Sequence, residues 1–371
     1  MNPINIDYDK CTGCMACRNI CPTGAIKIKI NSKGFEYPDI DKNICINCGI
    51  CDRICPITIN KKEPKRITNN PIKVYAAKNK VENIREKSSS GGVFYEISEL
   101  ILDKMNGCVC GAVYDKDFEV KHIMTSKKEK RNYMQGSKYV QSQMGYLYKE
   151  IEEKLKNNQV VLFTGTPCEV DGVYNYLASK NIDTTNLYTC DIICHGVPSP
   201  GIYKQYLKKL EEKFSSKIKS INFRYKENNY TQNIKIEFEN GKQYISNYFK
   251  GDELYNLFLK DYILRDSCYR CNYASTKRVA DITIGDFWGI EKTIENFDDK
   301  KGVSLVLINT EKGKAIFGKV SDKFNLIESN IEDCMQNNLK KPCDIPQNYD
   351  ELWNIYEKNG FLGICDYIKN L

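Results

Sequence analysis

The chain has 371 residues, enough for two or three domains around a sizeable core. Its net charge of +7, from 55 basic and 48 acidic residues, is spread along the chain without a dense basic stripe, which argues against nucleic-acid binding. Eighteen cysteines against two histidines, His122 and His195, exclude histidine-rich metal sites and leave metal chemistry to the thiols. The first residues, MNPINIDYDK, have no apolar signal-peptide core, and no run of about eighteen apolar residues occurs anywhere. A cytoplasmic chain without a transmembrane segment is expected, and there clustered thiols more often bind metal than pair as disulfides.

In chain order, CTGCMACRNICP at 11–22 and CINCGICDRICP at 45–56 are two copies of C-x2-C-x2-C-x3-C-P. Three thiolates at this spacing wrap one iron–sulfur cube and the fourth reaches the other. Cys11, Cys14, Cys17 and Cys55 are expected to hold one 4Fe–4S cluster, and Cys45, Cys48, Cys51 and Cys21 the second. Zinc is the alternative for such runs. Residues 3–58 resemble the bacterial two-cluster ferredoxin fold, so 1–60 is read as a ferredoxin domain. The polar NKKEPKRITNNP that follows makes 61–72 a linker.

The larger remainder reads as α/β. KVYAAKN at 73–79 is a strand, and SSSGG at 88–92 opens a helix with apolar residues at helical spacing. GCVCGAVYD and FEVKHIMT form a hairpin. QVVLFTGTPCEVDGVYNYLASK is strand, turn and helix, with Thr166 as N-cap and Pro167 as first helical residue. LYTCDIICHG repeats the strand, and Ser199-Pro200 starts a further helix. Residues 218–249 alternate as antiparallel strands around Asn240-Gly241. DITIGDFWG and SLVLINT are strands, and 326–371 reads as a helical tail without recognisable chemistry. SSSGG and GTP are both turns suited to phosphate, although such turns are often only turns. The expected fold is an α+β ferredoxin-like two-cluster domain, then an α/β flavoprotein domain with an antiparallel β insertion and a mainly helical C-terminal tail.

SSSGG, GSKYVQS at 136–142, GTPCEVDG, DIICHGVPSP and CYRC with ADITIGDFWG occur in that order. The set resembles the family of beta subunits of coenzyme F420-reducing hydrogenase and formate dehydrogenase, which includes 7-hydroxymethyl chlorophyll a reductase. The resemblance spans roughly 74–325. It implies a flavin-binding region over 73–150 and a region over 151–325 with a cluster and the flavin site. It also implies FAD rather than FMN, with electrons passing between flavin, clusters and a second redox partner.

Carried over by position, Ser90, Gly91 and Gly92 lie against FAD, and Ser137, Lys138, Tyr139 and Ser142 line the same site. Thr166 of the GTP turn joins them, with Gly285 and Asp286 after the CxxC. Lys138 suits the flavin edge where negative charge accumulates on reduction; otherwise it is a solvated surface lysine. Asp286 alternatively caps a turn. The family motifs place cysteines at 168, 194, 268 and 271, so CYRC is read as half of a third 4Fe–4S site completed by Cys168 and Cys194, with zinc as the alternative. His195 either moves a proton or stabilises its turn. Cys108, Cys110, Cys190, Cys334, Cys343 and Cys365 are assigned to core packing.

The chain is thus expected to be an FAD-dependent iron–sulfur oxidoreductase acting on a small organic substrate. Two other readings are a reductase or dehydrogenase exchanging hydride with coenzyme F420, and a non-autonomous electron-transfer subunit of a hydrogenase or dehydrogenase. Its protein partner would be a ferredoxin or such a subunit.

Overall fold

In a computed structural model, residues 7–59, 71–227 and 230–369 are described. The expected linker at 61–72 therefore lies outside the described residues except for its last two. The N-terminal part holds two strands, β1 (Ile26–Ile30) and β2 (Glu36–Ile40), paired antiparallel. Short helices Ala16–Ile20 and Ile50–Arg53 lie within the cysteine runs, each entered through a residue with positive φ, Met15 and Gly49.

The larger part is built on one eight-stranded mixed sheet. Its strands are β3 (Lys73–Asn79), β4 (Cys108–Tyr114), β5 (Val120–Thr125), β6 (Val161–Gly165), β7 (Leu187–Ile192), β11 (Ile282–Asp286), β12 (Ser304–Ile308) and β13 (Phe324–Ser329). They lie in the order β13-β3-β12-β11-β7-β6-β4-β5. β4, β6, β7 and β11 pair in parallel, and β12 runs antiparallel to both β11 and β3. β3 therefore points the same way as β4, β6, β7 and β11. β12, SLVLI, is buried along its whole length, as its unbroken apolar run requires with both faces covered. The remaining strands, β8 (Ile218–Glu227), β9 (Tyr230–Phe238) and β10 (Gln243–Ser246), form the separate antiparallel sheet expected of the insertion. Gly241 takes φ +81° at its tight turn.

Helix starts follow their local chemistry. Thr166 and Glu169 form a reciprocal capping box over Pro167–Ser179. The Ser199 hydroxyl accepts from the Ile202 amide at the head of Pro200–Phe214. The tail departs from expectation: β13 occupies its start as the sheet edge, packed through Phe324 and Leu326, before helices Asn337–Lys340 and Tyr349–Lys369. The alternation Phe-Asn-Leu was a strand signal that a helical reading of the tail passed over.

Among the described residues, no apolar cluster is confined to the N-terminal part. Cys14, Met15, Ala16, Ile20 and Ile54 pack into one cluster with Tyr148, Phe163, Val170 and Tyr174, while Phe35 and Tyr37 enter another with Tyr206, Phe223 and Trp353. Tyr148 Oη donates to the Cys14 carbonyl at 2.7 Å, and Asn19 Nδ2 to the Gly145 carbonyl at 3.0 Å. Among the described residues no helix is long and apolar enough to cross a membrane.

Gly91, expected at the flavin, has a packing duty first. A β-carbon there would drive into the Ala77 carbonyl oxygen of β3 and stand 2.8 Å from the Ser304 amide of β12. Gly91→Ala should accordingly destabilise by about 1–3 kcal/mol, the usual cost of overpacking. Thermal unfolding followed by circular dichroism checks this; an unchanged Tm would show that the loop lies more loosely on the sheet.

Candidate functional site

Three cavities are lined by cysteine quartets. Cys11, Cys14, Cys17 and Cys55 surround the first with Pro38 and Pro56, and Cys21, Cys45, Cys48 and Cys51 the second with Pro22 and Ile40. The fourth thiol of each run crosses to the other cavity, the interleaving expected from the spacing. Cys168, Cys194, Cys268 and Cys271 surround the third.

The sheet explains the third gathering. Cys168 opens the helix that follows β6, Cys194 lies just beyond the end of β7, and Cys268 and Cys271 come from the segment leading into β11. Buried Arg278 ties these together. Its guanidinium pairs with Asp191 of β7 at 3.1 Å and donates to the carbonyls of Tyr273 and Ser275 beyond the CxxC, and to that of Ile192. Tyr273 Oη donates to Asp171 at 2.6 Å, which pins the same loop to helix Pro167–Ser179.

That helix also sets the distance between the first and third cavities. Cys168 and Gly172, four residues apart, share a face. A β-carbon on Gly172 would lie 3.1 Å from Cys14 Sγ and 2.9 Å from Tyr148 Oη. Thr12 lines both cavities.

Burial pushes the thiols of Cys14, Cys17, Cys168 and Cys194 well up, and their sulfur neighbours push further. Burial and Cys271 raise Cys268 to about 12. In the third quartet burial raises all four thiols, Cys271 included, and a cation among them is what would favour four thiolates together, the property of a metal-thiolate site. The donor sets therefore suit an all-cysteine iron–sulfur cube.

A second group sits where β3 and β11 end. The Ser89 hydroxyl accepts from the Ser137 amide at 2.7 Å, joining the loop at 88–92 to the loop at 136–139. Lys138 is no solvated surface lysine. Its ammonium donates to the carbonyls of Tyr133, Gln135 and Gly136 at 2.8–3.0 Å, and burial pushes it down to about 7. Asp286 does more than cap a turn: it receives both arms of Arg224, at 2.6 and 3.1 Å, and Arg224 reaches the Tyr139 hydroxyl at 3.3 Å. Lys226 donates to the carbonyls of Arg85, Ser90 and Lys301, and burial pushes it down to about 8. Among the described residues, the buried Ser90 hydroxyl and Gln135 amide nitrogen have no hydrogen-bond partner. Loose polar atoms beside cations held only by carbonyls suit an anionic ligand such as a diphosphate.

Gly92 begins helix Val93–Asp103 with φ +91°, and Gly285 lies on β11 against Ile193. Two other expected flavin residues stand apart from this group. Ser142 is engaged by His122 Nδ1 at 2.6 Å, and the Thr166 hydroxyl is 3.1 Å from Cys168 Sγ on the third cavity. Arg224 and Lys226 were not singled out from the sequence, although i, i+2 cations on a predicted strand share a face.

His195 is fixed at the third cavity. Its Nε2 is 2.7 Å from Asp261, and its ring meets Phe258 edge-on. Cys343 is a correction. Expected in the core, it is half-buried on the third cavity, its thiol donating to the His195 carbonyl at 3.1 Å. Helix Asn337–Lys340 brings that segment in, and Asn338 donates to the Cys194 carbonyl at 3.0 Å. Cys110, Cys190, Cys334 and Cys365 lie in apolar clusters as expected, and Cys108 is buried on β4.

Residues 10–59 match the 4Fe–4S dicluster domain, and residues 158–333 match the C terminus of the coenzyme F420 hydrogenase/dehydrogenase beta subunit. One subunit of the F420H2 dehydrogenase of Methanosarcina mazei is 25% identical over 333 residues, 87% of this chain and 86% of that relative. A chain from the F420-reducing NiFe hydrogenase complex of Methanosarcina barkeri superposes with a TM-score of 0.48 and 17% identity, covering 82% of this chain and 93% of that one. Behind a 4Fe–4S dicluster domain at residues 10–59, then, the chain carries at residues 158–333 a region that matches the C terminus of coenzyme F420 hydrogenase/dehydrogenase beta subunits.

Proposed function

We propose that the chain is an iron–sulfur flavoprotein that transfers electrons as a subunit of an F420-type hydrogenase or dehydrogenase, with coenzyme F420 as the organic partner of its flavin. The observation that carries this reading is the continuity of the three cysteine quartets. Cys17 of the first lies close enough to feel the charge of Cys51 in the second, and Thr12 borders the first and third. The family and the named relative from Methanosarcina mazei support F420 and a partner subunit over a self-contained reductase.

Cys11, Cys14, Cys17 and Cys55 would hold one 4Fe–4S cluster, Cys21, Cys45, Cys48 and Cys51 a second, and Cys168, Cys194, Cys268 and Cys271 a third. FAD would lie over Ser90, Gly91, Gly92, Ser137, Lys138 and Tyr139, towards Gly285 and Asp286. When bound, the clusters supply one-electron carriers and the flavin couples them to two-electron hydride chemistry. The protein's part is to seat and charge these groups. Lys138 and Lys226 offer positive charge from carbonyl cradles, and Arg224, neutralised by Asp286, orients the Tyr139 hydroxyl. His195 stands against Asp261 at the rim of the third cavity.

Anaerobically reconstituted protein should carry about twelve iron atoms per chain, and Cys168→Ser or Cys268→Ser about eight, the loss of one cube. Cys334→Ser and Cys365→Ser should leave iron unchanged. Stoichiometric zinc with full iron retained in a Cys168→Ser, Cys268→Ser double variant would defeat the third cluster.

Acid denaturation should release FAD, identified by chromatography, and Lys226→Met should lower its occupancy with iron unaffected. Lys226 is charged below about pH 8 and loses charge above it. FAD affinity, measured by fluorescence titration of the apoflavin form, should therefore fall as pH rises through that value. Release of FMN, or affinity flat from pH 6 to 9, would rule against this site.

A further inference from the structure

Arg265 is fully buried, at 0% exposure. Its Nε donates to the Cys11 carbonyl at 2.6 Å, and its Nη1 to the Glu36 carbonyl at 3.0 Å and to Gln141 Oε1 at 2.8 Å. Nη2 points at Cys11 Sγ from 3.7 Å. The guanidinium lies 3.9 Å above the Tyr37 ring and 5.5 Å from that of Phe35. Among the described residues no carboxylate oxygen comes within 4.0 Å of it. Its neighbour Asp266 is already taken by Lys33 at 2.7 Å.

A buried guanidinium satisfied only by neutral acceptors is electrostatically incomplete, because burying a charge without its counter-charge is costly. Of the groups its guanidinium touches, the one that can become anionic is the Cys11 sulfur and, with it, its quartet, while the Glu36 carboxyl feels its charge without bonding it. A cube on four thiolates carries net negative charge, and nearby charge and hydrogen bonds to its sulfurs help to set its potential. Reduction adds one electron and one negative charge, with no bond made or broken.

The main chain of Arg265 belongs to the other side of the seam. Its amide donates to the Val197 carbonyl at 3.0 Å, and its carbonyl accepts from the Cys268 amide at 2.8 Å. Val197 and Cys268 both line the third cavity, as does Gln141, whose Nε2 donates to the Thr12 carbonyl at 3.2 Å. One residue thus anchors the third quartet by its backbone while its guanidinium touches the first, its charge being felt at Cys268 as well.

We infer that Arg265 sets the redox balance across the seam: its charge stabilises the reduced form of the cluster held by Cys11, Cys14, Cys17 and Cys55, and so raises that cluster's potential. The inference rests on the cluster assignment above. It makes Arg265 a positioning and charge-setting residue, since it holds no ligand atom.

The test is an EPR-monitored redox titration of full-length, anaerobically reconstituted wild type, Arg265→Gln and Arg265→Lys, with iron counted in each. The signal of the first cluster is the one lost in Cys14→Ser. At the potential that half-reduces it in wild type, Arg265→Gln should show a reduced-to-oxidised ratio about tenfold lower, a downward shift of about 59 mV for a one-electron couple. Arg265→Lys, which keeps the charge but loses the fork, should stay close to wild type. Loss of the first cluster's iron in Arg265→Gln with retention in Arg265→Lys would also support the inference. An unshifted signal in Arg265→Gln, equal shifts in the two variants, or loss of iron from both would overturn it. Wild type without reconstitutable iron would instead bring down the cluster assignment itself.

Discussion

The shared direction of β3, β4, β6, β7 and β11 is the constraint on which the rest of the arrangement depends. All five strands end at one edge of the sheet, where the backbone leaves its ladder and presents unpaired amides and helix starts. β12 divides that edge by running the other way between β3 and β11. On one side, the turns after β6 and β7 deliver the thiols of Cys168 and Cys194. The end of β11 on that same side brings Asp286 up against β12, and on the other side the loop after β3 delivers the serine-glycine turn. Thiol chemistry and anion-suited loops come to stand side by side because they are consecutive turns of one edge.

The same logic explains why the N-terminal part is seated as it is. A ferredoxin-like piece of fifty-odd residues buries too little surface to be robust alone. Here its apolar side chains are completed by Tyr148, Val170, Tyr174 and Trp353 of the larger part. Close approach is also enforced by small residues. Gly34 meets Gly201 so tightly that a β-carbon on Gly34 would lie 2.6 Å from the Gly201 α-carbon, and the Ser199 hydroxyl donates to the Lys33 carbonyl at 2.5 Å. The seam is a shared core crossed by hydrogen bonds, which holds the first and third quartets at fixed separation.

How much of this could be read in the sequence differs by kind of signal. The eight N-terminal cysteines carry their partition in their spacing, because a C-x2-C-x2-C-x3-C run constrains where each sulfur can point. The β3, β6 and β12 runs, the capping box at Thr166 and Glu169, and the Asn240-Gly241 turn are local chemistry and therefore visible without partners. Arg265, Arg224 and Lys226 are not. Their significance lies in what stands opposite them, on segments tens to hundreds of residues away, and no local pattern marks which distant group a buried cation will meet. Cys343 was misplaced for the same reason: KPCDIPQ has no ligand spacing, and only the fold of the tail sets it beside His195. Gly91 shows the converse, a motif glycine whose first duty is to lie against β3 and β12.

The buried cations fall into two classes, and the division carries information about chemistry. Arg278 with Asp191, and Arg224 with Asp286, are closed pairs whose charges cancel within the protein. Such pairs fix geometry at little electrostatic consequence for their surroundings. Lys138, Lys226 and Arg265 are hydrogen-bonded by carbonyls or neutral side chains, so no carboxylate closes them into a pair where they sit. A fold stabilised for its own sake would gain by giving each a carboxylate or by replacing it with an apolar residue. Keeping them open lowers the stability of the protein without its ligands and stabilises any anion that arrives, which is the arrangement expected of a protein whose folded state is completed by negatively charged redox groups.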